Sequence, residues 1–318
     1  MAKTIGSTGL DGKLVVLLGG SGFIGRHVAQ ELLSRGARLR IASRHPERAY
    51  SLKPLGNLGQ VQFVRCDVTR EAQVAAALAG ADAVVNLAAA WGARGHDVMA
   101  DGAGRVAMAA AAAGIRDFVQ ISSIGTDPDG LTDFARDKSE GEERVLAAIP
   151  TATVLRPSVV FGADDKFVTM FARLIAAFPA LPVFAPDSPM QIVFVDDVAA
   201  AVAAALADRQ GTAGRTFELA GPEQLSVMAI NRAISRAQGR TRWFAPLPDA
   251  VSAAIALVPF GPITGDQWLM LKAGNVASGK LPGLKALGIT ARPLGLFLDR
   301  WMVRYRKHGR FGARAPAA

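Results

Sequence analysis

The sequence predicts an α/β protein with a doubly wound parallel sheet and a smaller, mostly helical C-terminal lobe. Three observations predict this fold. Lys13–Leu18 is apolar after its lysine, as expected of a central parallel strand buried on both faces. Short strand-like and helix-like segments then alternate up to Leu155, which indicates a sheet covered by helices. After Arg156-Pro157 this alternation is lost.

Each later element of the first part follows from apolar periodicity and from its turn residues. The predicted strands after the first are Leu39–Ser43, Val61–Arg65, Ala83–Leu87, Phe118–Ser122 and Thr151–Leu155. The predicted helices are Arg26–Ser34, Ala72–Ala79, Gly104–Ala113 and Ser139–Ala148. Gly36 stands where a helix-ending glycine is expected.

The second part predicts helices at Phe167–Phe178 and Val198–Leu206, strands at Gln191–Val195 and Thr216–Leu219, and mainly helix from Ser226 onward. These patterns predict four parts. They are an N-terminal tail (1–12), a nucleotide-binding domain (13–162, with 191–206 returning to it), a small lobe (163–190 and 207–291) and a basic C-terminal segment (292–318), whose end from Gly309 we expect to be loose.

Composition limits the cellular context. The single cysteine, Cys66, excludes an internal disulfide and ends an apolar strand, so we expect a buried, inert thiol in a reducing compartment. We expect neither a signal peptide nor a transmembrane helix, because no suitable apolar stretch is present. The four histidines show no paired spacing, so we expect no metal site.

The charge balance points to an anionic partner. The formal net charge is +9 and the isoelectric point is near 10.2. Residues 292–318 hold seven basic residues against one acid, Asp299, interleaved with apolar side chains. The pattern is typical of an amphipathic helix on an anionic lipid surface or against an acidic protein beside a membrane. The alternative is a helix that covers the small lobe with its basic side in water. No nucleic-acid module is recognisable.

A glycine-rich turn follows the first strand and opens the first helix. Its sequence is Gly19-Gly20-Ser21-Gly22-Phe23-Ile24-Gly25. The first glycine permits the turn, the second lets the backbone approach a pyrophosphate, and the third lets the helix pack closely. The helix N-terminus then offers free N–H groups to phosphates. This combination predicts a Rossmann-type dinucleotide site.

The end of the second strand discriminates between NAD and NADP. An NAD site places a carboxylate there, whereas this chain has Ser43 and Arg44 and no acid until Glu47. A guanidinium pairs with a 2′-phosphate, so we expect NADPH, with NADH less favoured. Asp67 and Val68 follow the third strand and are expected beside the adenine. Asn86-Leu87-Ala88-Ala89, after the fourth, is expected on the adenosine and phosphate side.

Together these segments resemble the short-chain dehydrogenase/reductase superfamily, in its extended and atypical branches. The resemblance also includes Ser122-Ser123, Lys138 and the run from Leu155 to Gly162. Pro262–Val276 and Tyr305–Phe311 are similar to segments of one family within it, the NADPH-binding accessory subunit of respiratory complex I and its bacterial relatives. The resemblance spans about residues 13–311. It implies a peripheral subunit that keeps a tightly bound NADPH for structure rather than turnover.

Reductases of this superfamily use a Tyr-x-x-x-Lys pair, whose lysine lowers the pKa of the tyrosine that donates the proton. Here Lys138 is present, but Phe134 stands four positions earlier. Loss of a positioned acid typically removes about 10²–10⁴ in rate, so we expect no efficient catalysis. Ser122, Ser123 and Lys138 would then be remnants of a catalytic site. The expected cofactor-binding set is completed by Ile121, Ser122, Lys138, Pro157 and Val160.

The sequence therefore favours a non-catalytic NADPH-binding subunit of complex I. It would lie in the peripheral arm, on the cytoplasmic side of a bacterial inner membrane. One alternative is a soluble NAD(P)-dependent reductase, epimerase or dehydratase of the extended type. Another is a redox- or NADPH-sensing regulator. The glycine turn is neutral among the three, whereas Phe134 and the basic C-terminal segment favour the first.

Overall fold

The computed structural model describes residues 9–258 and 263–307. The chain divides into two compact units. The first unit comprises 9–157, Val195–Leu219 and Ser278–Thr290. The second comprises Ser158–Phe194, 220–277 without residues 259–262, and 291–307. The chain therefore enters the second unit three times and returns to the first unit twice between these passages.

The first unit contains a seven-stranded parallel sheet with the strand order β11-β6-β5-β4-β1-β2-β3. Its strands are β1 (Leu14–Leu18), β2 (Arg38–Ser43), β3 (Val61–Arg65), β4 (Ala83–Asn86), β5 (Asp117–Ile121), β6 (Thr153–Pro157) and β11 (Thr216–Leu219). Every residue of β1 and β4 is buried, as both-face coverage requires. The predicted doubly wound sheet is confirmed.

Helices connect these parallel strands, as crossover geometry demands. They are α1 (Phe23–Ser34), α2 (Glu71–Leu78), α3 (Gly102–Ala112), α4 (Asp133–Ala148), α6 (Val195–Ala207) and the short α7 (Arg209–Thr212). A π-helix, Asp97–Asp101, leads directly into α3, and 3₁₀ turns occupy Pro46–Leu55, Gly92–Arg94 and Leu284–Leu287. All of these elements belong to the first unit.

Helix α4 begins six residues before the predicted start at Ser139. Its first turns are largely polar, so apolar periodicity does not reveal them. The start is instead fixed by Thr132, whose side chain accepts a hydrogen bond of 3.2 Å from the Ala135 N–H. Phe134 and Lys138 therefore lie on the same helix, four residues apart.

Residues 278–290 close the far edge of the sheet. Glu218 on β11 accepts hydrogen bonds from the Ser278 backbone N–H at 2.7 Å and from its hydroxyl at 2.9 Å. The Glu218 N–H donates to the Pro282 carbonyl at 2.9 Å. Residues 207–219 and 278–290, which the sequence assigned to the small lobe, therefore lie in the first unit, because β11 pairs with β6 and this segment pairs with β11.

The second unit is mostly helical, with three two-stranded pairs. Its helices are α5 (Val168–Ala177), α8 (Val227–Ala237), α9 (Asp249–Ala256), α10 (Gly265–Ala273) and α11 (Gly295–Trp301), with a 3₁₀ turn at Met302–Tyr305. Its strands are β7 (Val160–Phe161) with β10 (Val193–Phe194), β8 (Ala180–Val183) with β13 (Trp243–Pro246), and β9 (Pro189–Met190) with β12 (Leu225–Ser226). The β8–β13 pair was not predicted; each strand is four residues long and contains a proline.

The described part of the basic C-terminal segment packs inside the second unit. The Phe297 ring stacks on Phe194 at 4.1 Å and on Trp301 at 4.8 Å. Arg304 and Arg306 donate to backbone carbonyls of the same unit. Most apolar side chains of this segment are thus used internally, although Leu296 is exposed. Residues 308–318 lie outside the described residues, as do residues 1–8 of the expected N-terminal tail, whereas Leu10 is buried.

No helix in the described ranges is both long and apolar enough to cross a bilayer.

Candidate dinucleotide site

The glycine turn joins β1 to α1 with very little room for side chains. Gly19 has a φ of +79°, a conformation that favours glycine, and its carbonyl accepts a 3.0 Å hydrogen bond from the Gly22 N–H. A Cβ at Gly25 would lie 2.7 Å from the Cα and the carbonyl oxygen of Gly20. The third glycine therefore allows the helix to lie against the turn itself.

The N-terminus of α1 is prepared for an anion. Gly22 is the N-cap, no side chain caps the helix, and its first turn contains no acidic residue. The backbone N–H groups of the first turn belong to Phe23, Ile24 and Gly25. Such a terminus carries a partial positive charge and binds phosphate groups through its amides.

A cavity of about 220 Å³ adjoins this helix terminus and lies wholly within the first unit. The predicted residues that line it are Gly19, Ser21, Gly22, Ser43, Arg44, Asp67, Val68, Leu87, Ala88 and Ala89. Sequence reasoning did not assign to it four further lining residues, which are His45, Arg48, Cys66 and Val98. Five segments that are distant in sequence thus meet at the carboxyl edge of the sheet, where ligands of such folds bind.

Two guanidiniums, those of Arg44 and Arg48, line one side of the cavity, called here the cation side. Neither side chain forms a hydrogen bond or ion pair with any residue that the structure describes. Beside them the Ser43 hydroxyl is buried and has no hydrogen-bond partner in the described ranges. The Ser43 hydroxyl and the two guanidiniums are therefore suited to hydrogen-bond with the hydroxyl groups and phosphate oxygens of a nucleotide. Arg48 was missed because it reaches the cavity from the 3₁₀ turn Pro46–Leu55, which no local pattern places beside Arg44.

Cys66 and Asp67 form another wall of the cavity. Burial raises the pKa of the Cys66 thiol to about 11, so the thiol is protonated and inert, as predicted. Burial also acts to raise the pKa of Asp67. Hydrogen bonds from the Thr69 N–H and hydroxyl and from Arg94 outweigh it and leave that pKa below its usual value. Asp67 therefore presents a fixed carboxylate as a hydrogen-bond acceptor.

The remaining predicted residues of the first unit cluster where β5 and β6 end. Lys138 is 4% exposed, and its ammonium donates a 3.0 Å hydrogen bond to the Ile121 carbonyl. The Ser122 and Thr126 hydroxyls lie 3.1 Å apart, and the Ser123 hydroxyl donates to the Ile124 carbonyl. The Pro157 carbonyl accepts from the Ile124 N–H. Val160 is on β7 in the second unit.

Phe134 occupies the position of the expected proton donor and is held by an aromatic partner. Its ring stacks on the Trp91 indole at 4.4 Å with an interplanar angle of 10°. The Lys138 ammonium lies 5.9 Å from the Phe134 ring centroid. Trp91 is 57% exposed, and it was not singled out from the sequence because no local pattern marks it. The arrangement keeps a buried cation and provides no hydroxyl at Phe134.

The buried Lys138 predicts a pH dependence of stability. Burial lowers the pKa of Lys138 from 10.5 to about 8, although the Glu142 carboxylate opposes the shift. Between these values the unfolded chain binds more protons than the folded one. The free energy of unfolding of the NADPH-free protein should therefore rise with pH by up to about 1.4 kcal/mol per unit.

Urea unfolding from pH 7 to 10.5 measures this effect, with Lys138→Met as the matched variant. Subtracting the two curves removes the contributions of all other groups. The difference should be flat below the folded pKa and then grow toward higher pH. Parallel curves across the whole range would show that Lys138 is not buried as a cation.

Comparison with known proteins also indicates a nicotinamide dinucleotide site. A family model described as NAD(P)H-binding matches residues 19–166. The mitochondrial NADH dehydrogenase (ubiquinone) 1 alpha subcomplex subunit 9 of Arabidopsis thaliana is 27% identical over 327 residues, with 96% of this chain and 81% of that protein covered. A ceramide reductase of Caulobacter vibrioides is 31% identical over 195 residues, with 60% of each protein covered.

Among solved structures, an NADPH-dependent quinone oxidoreductase of Escherichia coli in complex with NADPH has the same fold. Its TM-score is 0.72 at 20% sequence identity, and the match covers 90% of this chain and 98% of that chain. The strand–glycine turn–helix unit, the cavity beside it and these matches all indicate a nicotinamide dinucleotide site. Residues 19–166 match an NAD(P)H-binding family, and the chain is similar to the complex I alpha subcomplex subunit 9 over nearly its whole length.

Proposed function

We propose that this protein is an NADPH-binding accessory subunit of respiratory complex I that retains its cofactor without turning it over. The observation that carries the proposal is Phe134, stacked on Trp91 beside the buried Lys138. The residues that would bind a dinucleotide are present, whereas a phenyl ring stands at position 134, where the proton-donating side chain is expected. When bound, NADPH would be able to supply a hydride.

The preference for NADPH over NADH rests on the cation side of the cavity. Arg44 and Arg48, which pair with no described residue, would bind a 2′-phosphate, and the Ser43 hydroxyl would donate to the same group. Glycine-turn amides would hold the pyrophosphate, and Lys138 would hold a ribose hydroxyl. A ligand bound only by the folded state stabilises it by mass action, so a retained NADPH would act as part of the fold.

The proposed location is the peripheral arm of complex I, on the cytoplasmic side of a bacterial inner membrane. Its support is the similarity to a named complex I subunit over nearly the whole chain and the net charge of +9. The charge is suited to an acidic protein surface or anionic lipid headgroups.

Purification from native membranes tests the proposal. We expect the protein to migrate with respiratory subunits on a native gel. The nucleotide released by denaturation should have the mass of NADPH, in a ratio near one per chain. Recovery of the protein from the soluble fraction alone, with no co-migrating respiratory subunit, would rule out the accessory-subunit role.

The alternative is a soluble NAD(P)-dependent reductase, epimerase or dehydratase. It is favoured by the paired Ser122 and Thr126 hydroxyls, which lie near the end of β5 and could polarise a carbonyl. It also agrees with the relative named as a ceramide reductase. In that case another residue must replace the proton donor missing at Phe134.

Phe134→Tyr distinguishes the two functions. The wild type should oxidise NADPH at background rates with carbonyl acceptors, because no positioned acid is present. The variant should bind NADPH equally well and gain about 10²-fold in carbonyl reduction, since a positioned acid is worth about 10²–10⁴. Phe134→Leu is the matched control and should gain nothing. Wild-type turnover at ordinary enzyme rates would show that Phe134 does not disable the site.

A further inference from the structure

A second cavity, of about 490 Å³, lies within the second unit beside α8. Three charged side chains line it: Asp187, Arg232 and Arg236. Met228, Pro186 and Pro246 supply apolar wall. The cavity shares no residue with the dinucleotide site, so the function proposed above does not account for it.

The charged side chains around this cavity do not neutralise one another. Asp187, Arg232 and Arg236 form no side-chain hydrogen bond or ion pair with any residue in 9–258 or 263–307. Other arginines of the same unit are committed, since Arg240 and Arg242 each donate to backbone carbonyls. The two cavity arginines are one helical turn apart, a spacing at which like charges destabilise a helix. A bound anion would remove that repulsion.

The turn that presents Asp187 is strained. Within the described ranges Ala185 alone among non-glycine residues has a positive φ, 42°. The turn is closed by the Ser188 N–H, which donates to the Ala185 carbonyl at 3.0 Å, and is tied to α8 by the Met228 N–H, which donates to the Pro186 carbonyl at 2.9 Å. Strain of this kind persists where the surrounding structure enforces it, and such positions concentrate at binding sites.

The chemistry of these side chains specifies a ligand. Two guanidiniums on adjacent turns match the oxygens of a phosphate group, to which arginine binds bidentately. The Asp187 carboxylate would repel a bare anion, so the ligand must present a hydroxyl or amino group on that side. We propose that this cavity binds a phosphate ester carrying a neighbouring hydroxyl or amine, held by Arg232 and Arg236 and oriented by Asp187.

Calorimetric titration of the NADPH-loaded protein with glycerol 3-phosphate tests this site, because the loaded cofactor occupies the other phosphate-binding groups. We expect saturable binding by the wild type. The double variant Arg232→Gln, Arg236→Gln should bind at least about tenfold more weakly. Arg173→Gln is the matched control, since Arg173 is an exposed arginine on α5 that lies outside the cavity and pairs with no described residue.

Asp187→Asn tests orientation separately from affinity for phosphate. The variant should bind inorganic phosphate more tightly than the wild type does, and its preference for glycerol 3-phosphate over inorganic phosphate should fall. An unchanged preference would overturn the role of Asp187.

Sedimentation with vesicles identifies the source of the ester. If vesicles of phosphatidylglycerol and phosphatidylcholine retain the wild type but not the double arginine variant, the ligand is a lipid headgroup. If only soluble glycerol 3-phosphate binds, the ligand is a free ester; both results support the proposal. Absence of saturable wild-type binding to either, or equal affinity of the double variant, would overturn it. Neither result affects NADPH content or co-migration with respiratory subunits.

Discussion

Gly25→Ala is expected to weaken NADPH binding by about a hundredfold, close to 2.8 kcal/mol at about 1.4 kcal/mol per tenfold. The introduced Cβ would lie 2.7 Å from the Cα and the oxygen of Gly20 and 2.8 Å from its carbonyl carbon. These are backbone atoms, so no side chain can rotate away and the turn itself must open. Its amides would then be displaced from the pyrophosphate. Fluorescence titration with NADPH measures the change.

Thermal unfolding of the cofactor-free variant should show that the free energy of unfolding falls by about 1–3 kcal/mol, the usual effect of overpacking. Gly265→Ala is the matched control, because its Cβ would meet nothing within 4 Å at the first residue of α10. That control should change stability by less than about 0.5 kcal/mol. If Gly25→Ala binds NADPH within threefold of the wild type, the close packing of α1 on the turn is not required for the cofactor.

Arg44→Glu should weaken NADPH at least about a hundredfold and leave NADH within about threefold. A hydrogen bond to a charged group contributes about 1.5–3 kcal/mol, and the introduced carboxylate adds repulsion of the 2′-phosphate. Arg48→Glu should act in the same direction, because both side chains line the cavity. Competitive titration with the two nucleotides gives the ratio directly.

The control for charge is Arg38→Glu, which makes the same change at the opposite end of β2, on an exposed side chain. It should affect the two nucleotides equally and slightly. If Arg44→Glu also weakens NADPH and NADH by the same factor, the 2′-phosphate is not read by this arginine and the preference for NADPH loses its basis.

The parallel sheet was predictable because its strands are short apolar runs followed at once by turns. Each predicted strand of the sheet overlaps the observed one. The β8–β13 pair was not predictable, since Pro182 and Pro246 interrupt any strand signal and the paired residues are 63 positions apart. The early start of α4 was missed for a different, local reason. Its polar first turn carries a capping signal, Thr132, but no apolar period.

The same distinction holds at the site. The glycine turn, Ser43 and Arg44 were predictable because a strand, a turn and a helix place them in sequence order. Arg48 reaches the cavity from a 3₁₀ turn, and Val98 from the segment before α3, so both depend on tertiary geometry. The Trp91–Phe134 stack joins residues 43 positions apart, which no local pattern reveals.

The interrupted path of the chain has a consequence for biosynthesis. Strand β11 and helix α6 reach the first unit only after Phe194, and the segment that satisfies Glu218 arrives with Ser278. A ribosome adding about 5–20 residues per second needs about 3–12 s to pass from Pro157 to Leu219. During that interval the nascent sheet has an unpaired edge at β6, and α1 lacks α6. Chaperones that shield open sheet edges should therefore contact this chain during translation, before the first unit is complete.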